Sequence, residues 1–129
     1  MMFRRGFTLV EIMVVVAVIA LLATIALPAI LRARITTNQA AAQANLKLIS
    51  NGLETYAIAN GTYPANPATL RAQVPPYLAK DYFASTYNGY NYIATLSGYV
   101  YSVVATPASA NFGRTTYTIS TGSVLTAFP

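Results

Sequence analysis

The sequence predicts an α+β protein, with one long N-terminal α-helix packed on a small C-terminal antiparallel β-sheet. Three observations predict it. Ile12 to Leu31 is an unbroken run of twenty uncharged, mostly apolar residues. Ile35, Ala42, Leu46, Ile49, Leu53 and Tyr56 then fall on one stripe at helical spacing, with Gln39 as the interruption. Beyond Tyr90, short alternating runs rich in Tyr, Val, Ile and Thr are separated by glycine-containing turns.

The first helical half is of membrane length. At about 1.5 Å per residue, a 20-residue helix spans roughly 30 Å, the hydrocarbon thickness of a bilayer. Residues 7–31 are therefore expected to form a membrane-spanning half-helix. Glu11 stands at its edge. An ionised side chain inside a membrane costs a few kcal/mol or more, so such a residue is a functional candidate that needs a partner. Were the chain cut between Gly6 and Phe7, Phe7 would carry a new amino group. Glu11, four residues on, would be its counter-charge within one chain or between neighbours. Pro28 lies deep in the run, where it removes a helical hydrogen bond and tends to kink or open the helix.

Residues 32–61 continue the helix as an amphipathic half. Alanines at 40, 41, 42 and 44 favour it. Asn60-Gly61, followed by Pro64, stops it. Gly52 costs the interior about 1 kcal/mol and marks either close packing or a local irregularity.

Residues 62–129 supply the cover for that stripe and share one globular head with residues 32–61. Thr62 to Asn88 reads as a proline-rich loop, with a short helix at Pro67 to Gln73. Strands are expected at Tyr90–Leu96, Tyr99–Thr106, Thr115–Ser120 and Val124–Phe128. Turns at Ser97-Gly98 and Thr121-Gly122 join them, and Pro107 to Gly113 forms a loop. The result is a three- or four-stranded meander that needs the helix for stability. Seven of the ten tyrosines lie between Tyr77 and Tyr101. Tyr90, Tyr92, Tyr99 and Tyr101 are expected to cluster across strands on one sheet face, stabilising the sheet and touching neighbouring subunits.

Composition narrows the function. Eight basic and three acidic residues give a net charge of +5, and there is no Cys or His. Outside Glu11 the acids are Glu54, on the helix, and Asp81, in the loop. No paired carboxylates, metal-ligand cluster, nucleophile–histidine set or phosphate-binding glycine loop can be assembled. No enzymatic activity and no cofactor are expected. Nucleic-acid capture through Arg71, Lys80 and Arg114 is a lesser reading of the basic balance. Arg32, Arg34 and Lys47 lie close to the membrane exit, where lipid headgroups are the nearer anions. Arg4 and Arg5 favour a cytoplasmic N-terminus, although Arg32 and Arg34 flank the other end.

The stretch Arg4-Arg5-Gly6-Phe7-Thr8-Leu9-Val10-Glu11, opening onto the apolar run, resembles the processing site of bacterial type IV prepilins and type II secretion pseudopilins. GYVYSVVATP followed by GRTTYTISTGSV also looks like the C-terminal sheet of small pilins and major pseudopilins, though more loosely. The resemblance implies a leader at residues 1–6, cleavage after Gly6 by a prepilin peptidase, and N-methylation of Phe7. It implies assembly through Glu11, which pairs with the terminal amine of an adjacent subunit, and it places Pro28 where the family often has a proline. The implied partners are further copies in a homopolymeric filament, the peptidase/methyltransferase, an inner-membrane assembly platform, and the inner membrane before assembly. The implied product is a surface pilus or a periplasmic pseudopilus. Many major pseudopilins bind calcium through C-terminal acids, and no acid follows Asp81 here, which inclines the reading toward a pilus. A secretory signal peptide cut after small residues such as Thr24 or Ala26 fits less well, because the run is too long and Glu11 is misplaced. A plain anchor carrying a binding module is the competing class.

Overall fold

A computed structural model of the protein describes residues 6–129; the basic pair Arg4-Arg5 lies outside them. Helix α1 runs Leu9–Asn60 without interruption. The chain divides into two compact units between Ala33 and Arg34.

The first unit is bare helix. Phe7, Val10, Leu21 and Ile25 are 85, 66, 66 and 70 % exposed, and α1 is long and apolar enough to cross a membrane. Among the described residues nothing covers this apolar surface, which suits an apolar environment such as lipid or neighbouring helices.

The second unit holds the core. From α1, Ala42, Leu46, Ile49 and Leu53 are essentially inaccessible, while Ile35 and Tyr56 at the ends of the stripe are half-buried. Gly52 is buried too. A Cβ there would sit 3.0 Å from the Tyr77 carbonyl oxygen and 3.2 Å from the Leu78 side chain. Close packing, with no break in the helix, accounts for this glycine.

Helix α2 is only Thr69–Ala72. It begins after Asn66, whose side-chain oxygen accepts the Ala68 amide at 2.9 Å, and it presents Leu70 to the core. The Leu70 carbonyl then accepts the Tyr77 and Leu78 amides, folding the proline-rich loop back on itself. The sheet is a meander in the order β1-β2-β3-β4: Tyr90–Ser97, Val100–Pro107, Thr116–Ser120 and Val124–Phe128, all antiparallel. The expected four strands are present within a residue or so at each end. The first turn is displaced by one position, because Ser97 pairs with Val100 and leaves Gly98-Tyr99 at the corner.

That displacement corrects the tyrosine cluster. Tyr99 is at a turn and 81 % exposed, while Tyr90, Tyr92 and Tyr101 are buried on the helix-facing side. The register sets Tyr90 and Tyr92 opposite Pro107 and Ala105, and Tyr101 opposite Leu96. The rings therefore pair with other elements: Tyr63 with Tyr101 at 4.9 Å, Tyr82 with Tyr92 at 6.0 Å, and Tyr90 with Tyr117 at 6.2 Å between centroids. Tyr90, Tyr92 and Tyr101 fill the space between sheet and helix, while Tyr99 stands apart from them at the turn.

Candidate functional site

The N-terminal group lies in the first unit. Thr8 precedes the first turn of α1, and Glu11 is in that turn. The Glu11 carboxylate accepts the Thr8 amide at 2.7 Å and the Thr8 hydroxyl at 2.6 Å, and the Glu11 amide donates to Thr8 Oγ1 at 3.2 Å. This reciprocal arrangement is a capping box, and it satisfies donors that the helix start would otherwise orphan. Thr8-x-x-Glu11 is its sequence signature, so Glu11 is a helix-capping residue as well as a charge at the edge of the apolar run. With residues 1–6 attached, the Phe7 nitrogen is a peptide amide, and Thr8 is the partner that Glu11 has. The terminal amine expected from cleavage would be a second one. Among the described residues, nothing lies within 4 Å of a Cβ placed on Gly6, and Phe7 is exposed.

Pro28 is inside α1. Lacking an N–H, it leaves the Thr24 carbonyl without its usual donor. Thr24 Oγ1 donates back to the Leu21 carbonyl at 2.7 Å, a local bond that occupies the hydroxyl in an apolar stretch.

In the second unit, sequence reasoning missed the role of Glu54. Its Oε1 accepts the Tyr101 hydroxyl at 3.1 Å and the Gly122 amide at 3.0 Å, and its Oε2 accepts the Tyr63 hydroxyl at 3.0 Å. Tyr101 spends its one proton on Glu54, so Ser50, at 2.7 Å, must donate to the Tyr101 oxygen. Ser123, at 2.6 Å from Ser50, must in turn donate to Ser50. One carboxylate thus ties α1 to the loop after it, to β2 and to the β3–β4 turn. Burial, then the hydrogen bond to Glu54, pushes the Tyr63 hydroxyl up to about 12. No local signal announces this contact, because Glu54 and Gly122 are 68 residues apart. The turn itself depends on Gly122 and Ser123, both at positive φ.

The remaining charges are arranged locally. Arg71 pairs with Asp81 at 2.7 Å, and the other Asp81 oxygen accepts the Phe83 and Ala84 amides. Lys80 donates to the Tyr87 hydroxyl at 2.8 Å, a bond that raises its pKa. Among the described residues, no group of three or more His, Cys, Asp or Glu side chains is placed to hold a metal.

Comparison with known proteins agrees with this layout. Residues 1–27 match the family described as the prokaryotic N-terminal methylation motif. The chain is 34 % identical over 107 residues to the type IV wide pilus major component PilA4 of Thermus thermophilus, covering 80 % of this chain and 82 % of that one. It is 33 % identical over 94 residues to the type II secretion system core protein G of Escherichia coli, covering 72 % of this chain and 63 % of that protein. Against the Vibrio cholerae core protein G, 34 % identity extends over 71 residues, about half that protein's length (49 %). The N-terminal methylation motif, together with 34 % identity to a pilus component over four-fifths of the chain and 33 % identity to a secretion core protein over most of it, establishes that this protein belongs to the type IV pilin and type II secretion pseudopilin family.

Proposed function

We propose that the chain is a structural subunit of a type IV pilus-like filament and carries no catalytic activity. It enters the inner membrane as a precursor, is cleaved after Gly6 by a prepilin peptidase and is N-methylated at Phe7. An inner-membrane platform then moves it into a filament, where residues 7–31 exchange lipid for the apolar helices of other copies. Residues 32–129 form the head. The observation that carries this reading is the uncovered apolar helix behind a processing motif. Extracting such a surface from lipid is tolerable only if another apolar environment receives it.

Glu11 gains the Phe7 amine of an adjacent copy in that environment and sets the axial register, while Thr8 holds its carboxylate in place beforehand. A buried carboxylate left without a cation is strongly destabilising. Pro28 leaves a carbonyl free where the helix can open during transfer. The major pseudopilin reading is supported by the secretion core proteins G, and the same steps serve it with a periplasmic filament as the product.

The test is the intact mass of the subunit in purified surface filaments. The expected mass lacks residues 1–6 and carries one added methyl group. An unprocessed mass overturns the cleavage assignment, and a short periplasmic fibre in place of surface filaments selects the pseudopilus. Glu11→Ala is expected to be cleaved normally but to yield few filaments; normal filaments from it sink the register role.

A further inference from the structure

A cleft of about 230 Å³ lies in the proline-rich loop between α1 and β1. Pro67, Leu78 and Phe83 give it an apolar wall, while Arg71, Lys80 and Asp81 give it two cations and one anion. Asn66 adds a side-chain amide. The side-chain acceptors are already engaged. Asp81 Oδ2 takes Arg71 Nη1 at 2.7 Å, and Oδ1 takes the Phe83 and Ala84 amides at 3.0 and 3.2 Å. Asn66 Oδ1 takes the Ala68 amide at 2.9 Å. The donors are in surplus. Among the described residues, Arg71 makes its one side-chain bond through Nη1, so Nε and Nη2, the side fork of the guanidinium, stay open. Lys80 gives one of its protons to Tyr87 and keeps the others, and the Asn66 side chain bonds only through its oxygen.

We infer that this cleft binds the carboxylate of an acidic sugar, holding one uronate ring between Arg71 and Phe83. A lining with donors to spare and a net positive charge takes an acceptor-rich anion. The open fork of Arg71 matches a planar carboxylate through two parallel bonds, which a lysine could not supply. The half-buried Phe83 ring and the buried Leu78 line the same cleft. They offer apolar contact to the C–H face of a sugar ring, contact that bare phosphate has no surface to use. Lys80 and Asn66 then donate to ring hydroxyls, whereas a hydrocarbon acid would leave those donors idle. The volume is below the ~300 Å³ at which pockets for drug-sized ligands begin, so it suits one ring. Asp81 is the positioning residue. The exposed Arg71–Asp81 pair contributes little to stability. Asp81 is itself fixed by two amides, however, and it pins one edge of the guanidinium so that the other is pre-organised.

The site lies within the head, so it is tested on the full chain in detergent, with no filament required. Galacturonate has about 13 non-hydrogen atoms, and ordinary ligand efficiency gives it a Kd of about 1 mM. Titration at constant ionic strength is expected to shift the NMR signals of Arg71 Nε–H and of the Phe83 and Ala84 amides with that Kd. Neutral galactose and inorganic phosphate are each expected to bind about tenfold more weakly or worse. Arg71→Lys keeps the charge and loses the fork, and it should weaken galacturonate about tenfold. Both side chains of the pair are exposed, so their variants keep the core. Asp81→Asn makes the cleft more positive yet should weaken binding about threefold, because the guanidinium is no longer pinned. Retention of the chain on polygalacturonate beads, with release by free galacturonate, makes a polymer the source of the ring; galacturonate binding without retention makes it the free sugar. No shift up to about 20 mM, galactose or phosphate binding as well as galacturonate, an Arg71→Lys chain as tight as wild type, or an Asp81→Asn chain tighter than wild type overturns the inference.

Discussion

Removing the Glu54 carboxylate should loosen the head at one identifiable place. Glu54 holds Tyr63, Tyr101 and the Gly122 amide at 3.0–3.1 Å. Hydrogen bonds to a charged group contribute about 1.5–3 kcal/mol each when buried, and less when water can replace the lost partner. Tyr63 is half-buried and Gly122 is exposed, so water replaces part of both bonds. Tyr101 is 3 % exposed, but it keeps the Ser50 bond. Glu54→Ala is therefore expected to cost about 2–3 kcal/mol, well below the full value of three charged bonds. Glu54→Gln keeps one oxygen for Tyr101 and Gly122 and turns its amide toward the Tyr63 oxygen, at a cost of about 1 kcal/mol. For a head of roughly a hundred residues, 1 kcal/mol shifts the melting temperature by about 4–8 °C. Thermal unfolding of the full chain in detergent, followed by near-ultraviolet circular dichroism of the tyrosines, should show the order wild type, Gln, Ala. An alanine variant within about 0.5 kcal/mol of wild type, or a glutamine variant as damaging as alanine, would refute the tying role.

Two further outcomes follow from the packing. Gly52→Ala gains about 1 kcal/mol of helix propensity, but its Cβ would press on the Tyr77 carbonyl oxygen at 3.0 Å. Backbone cannot rotate away, so the melting temperature is expected to stay level or fall; a clear rise would show that the contact has slack. Burial, with Tyr117 and Tyr92 nearby, pushes the Tyr90 hydroxyl from 10.0 up to about 12. Between those values the unfolded chain binds fewer protons than the folded one, so stability is intact below pH 10 and declines as pH rises toward 12. The slope is about 1.4 kcal/mol per pH unit for this group alone. Denaturant midpoints measured at pH 9, 10 and 11 check it, and a flat profile would contradict the burial of Tyr90.

Much of the fold was legible because its signals are local and periodic. The apolar run needed only length and composition. Leu46, Ile49 and Leu53 announced their face through spacing, and Asn60-Gly61 announced the helix end. The strands were legible for the same reason. The first turn was misplaced by one residue because Ser97-Gly98 and Gly98-Tyr99 are both acceptable corners. Pairing along the whole β1–β2 ladder, not the dipeptide, chooses between them. The capping pattern Thr8-x-x-Glu11 is equally local and is written in the sequence.

By itself, then, the sequence determined the methylation-type octet, the membrane-length helix, the amphipathic stripe and the approximate positions of the strands, because each depends on neighbours within a turn or a hairpin, while the count of four strands in one sheet came from the structure. Only the tertiary structure decided where the tyrosines point, why Gly52 is small and what Glu54 holds. Those contacts join residues far apart in the chain, and chain closure and register, which no local propensity encodes, bring them within reach.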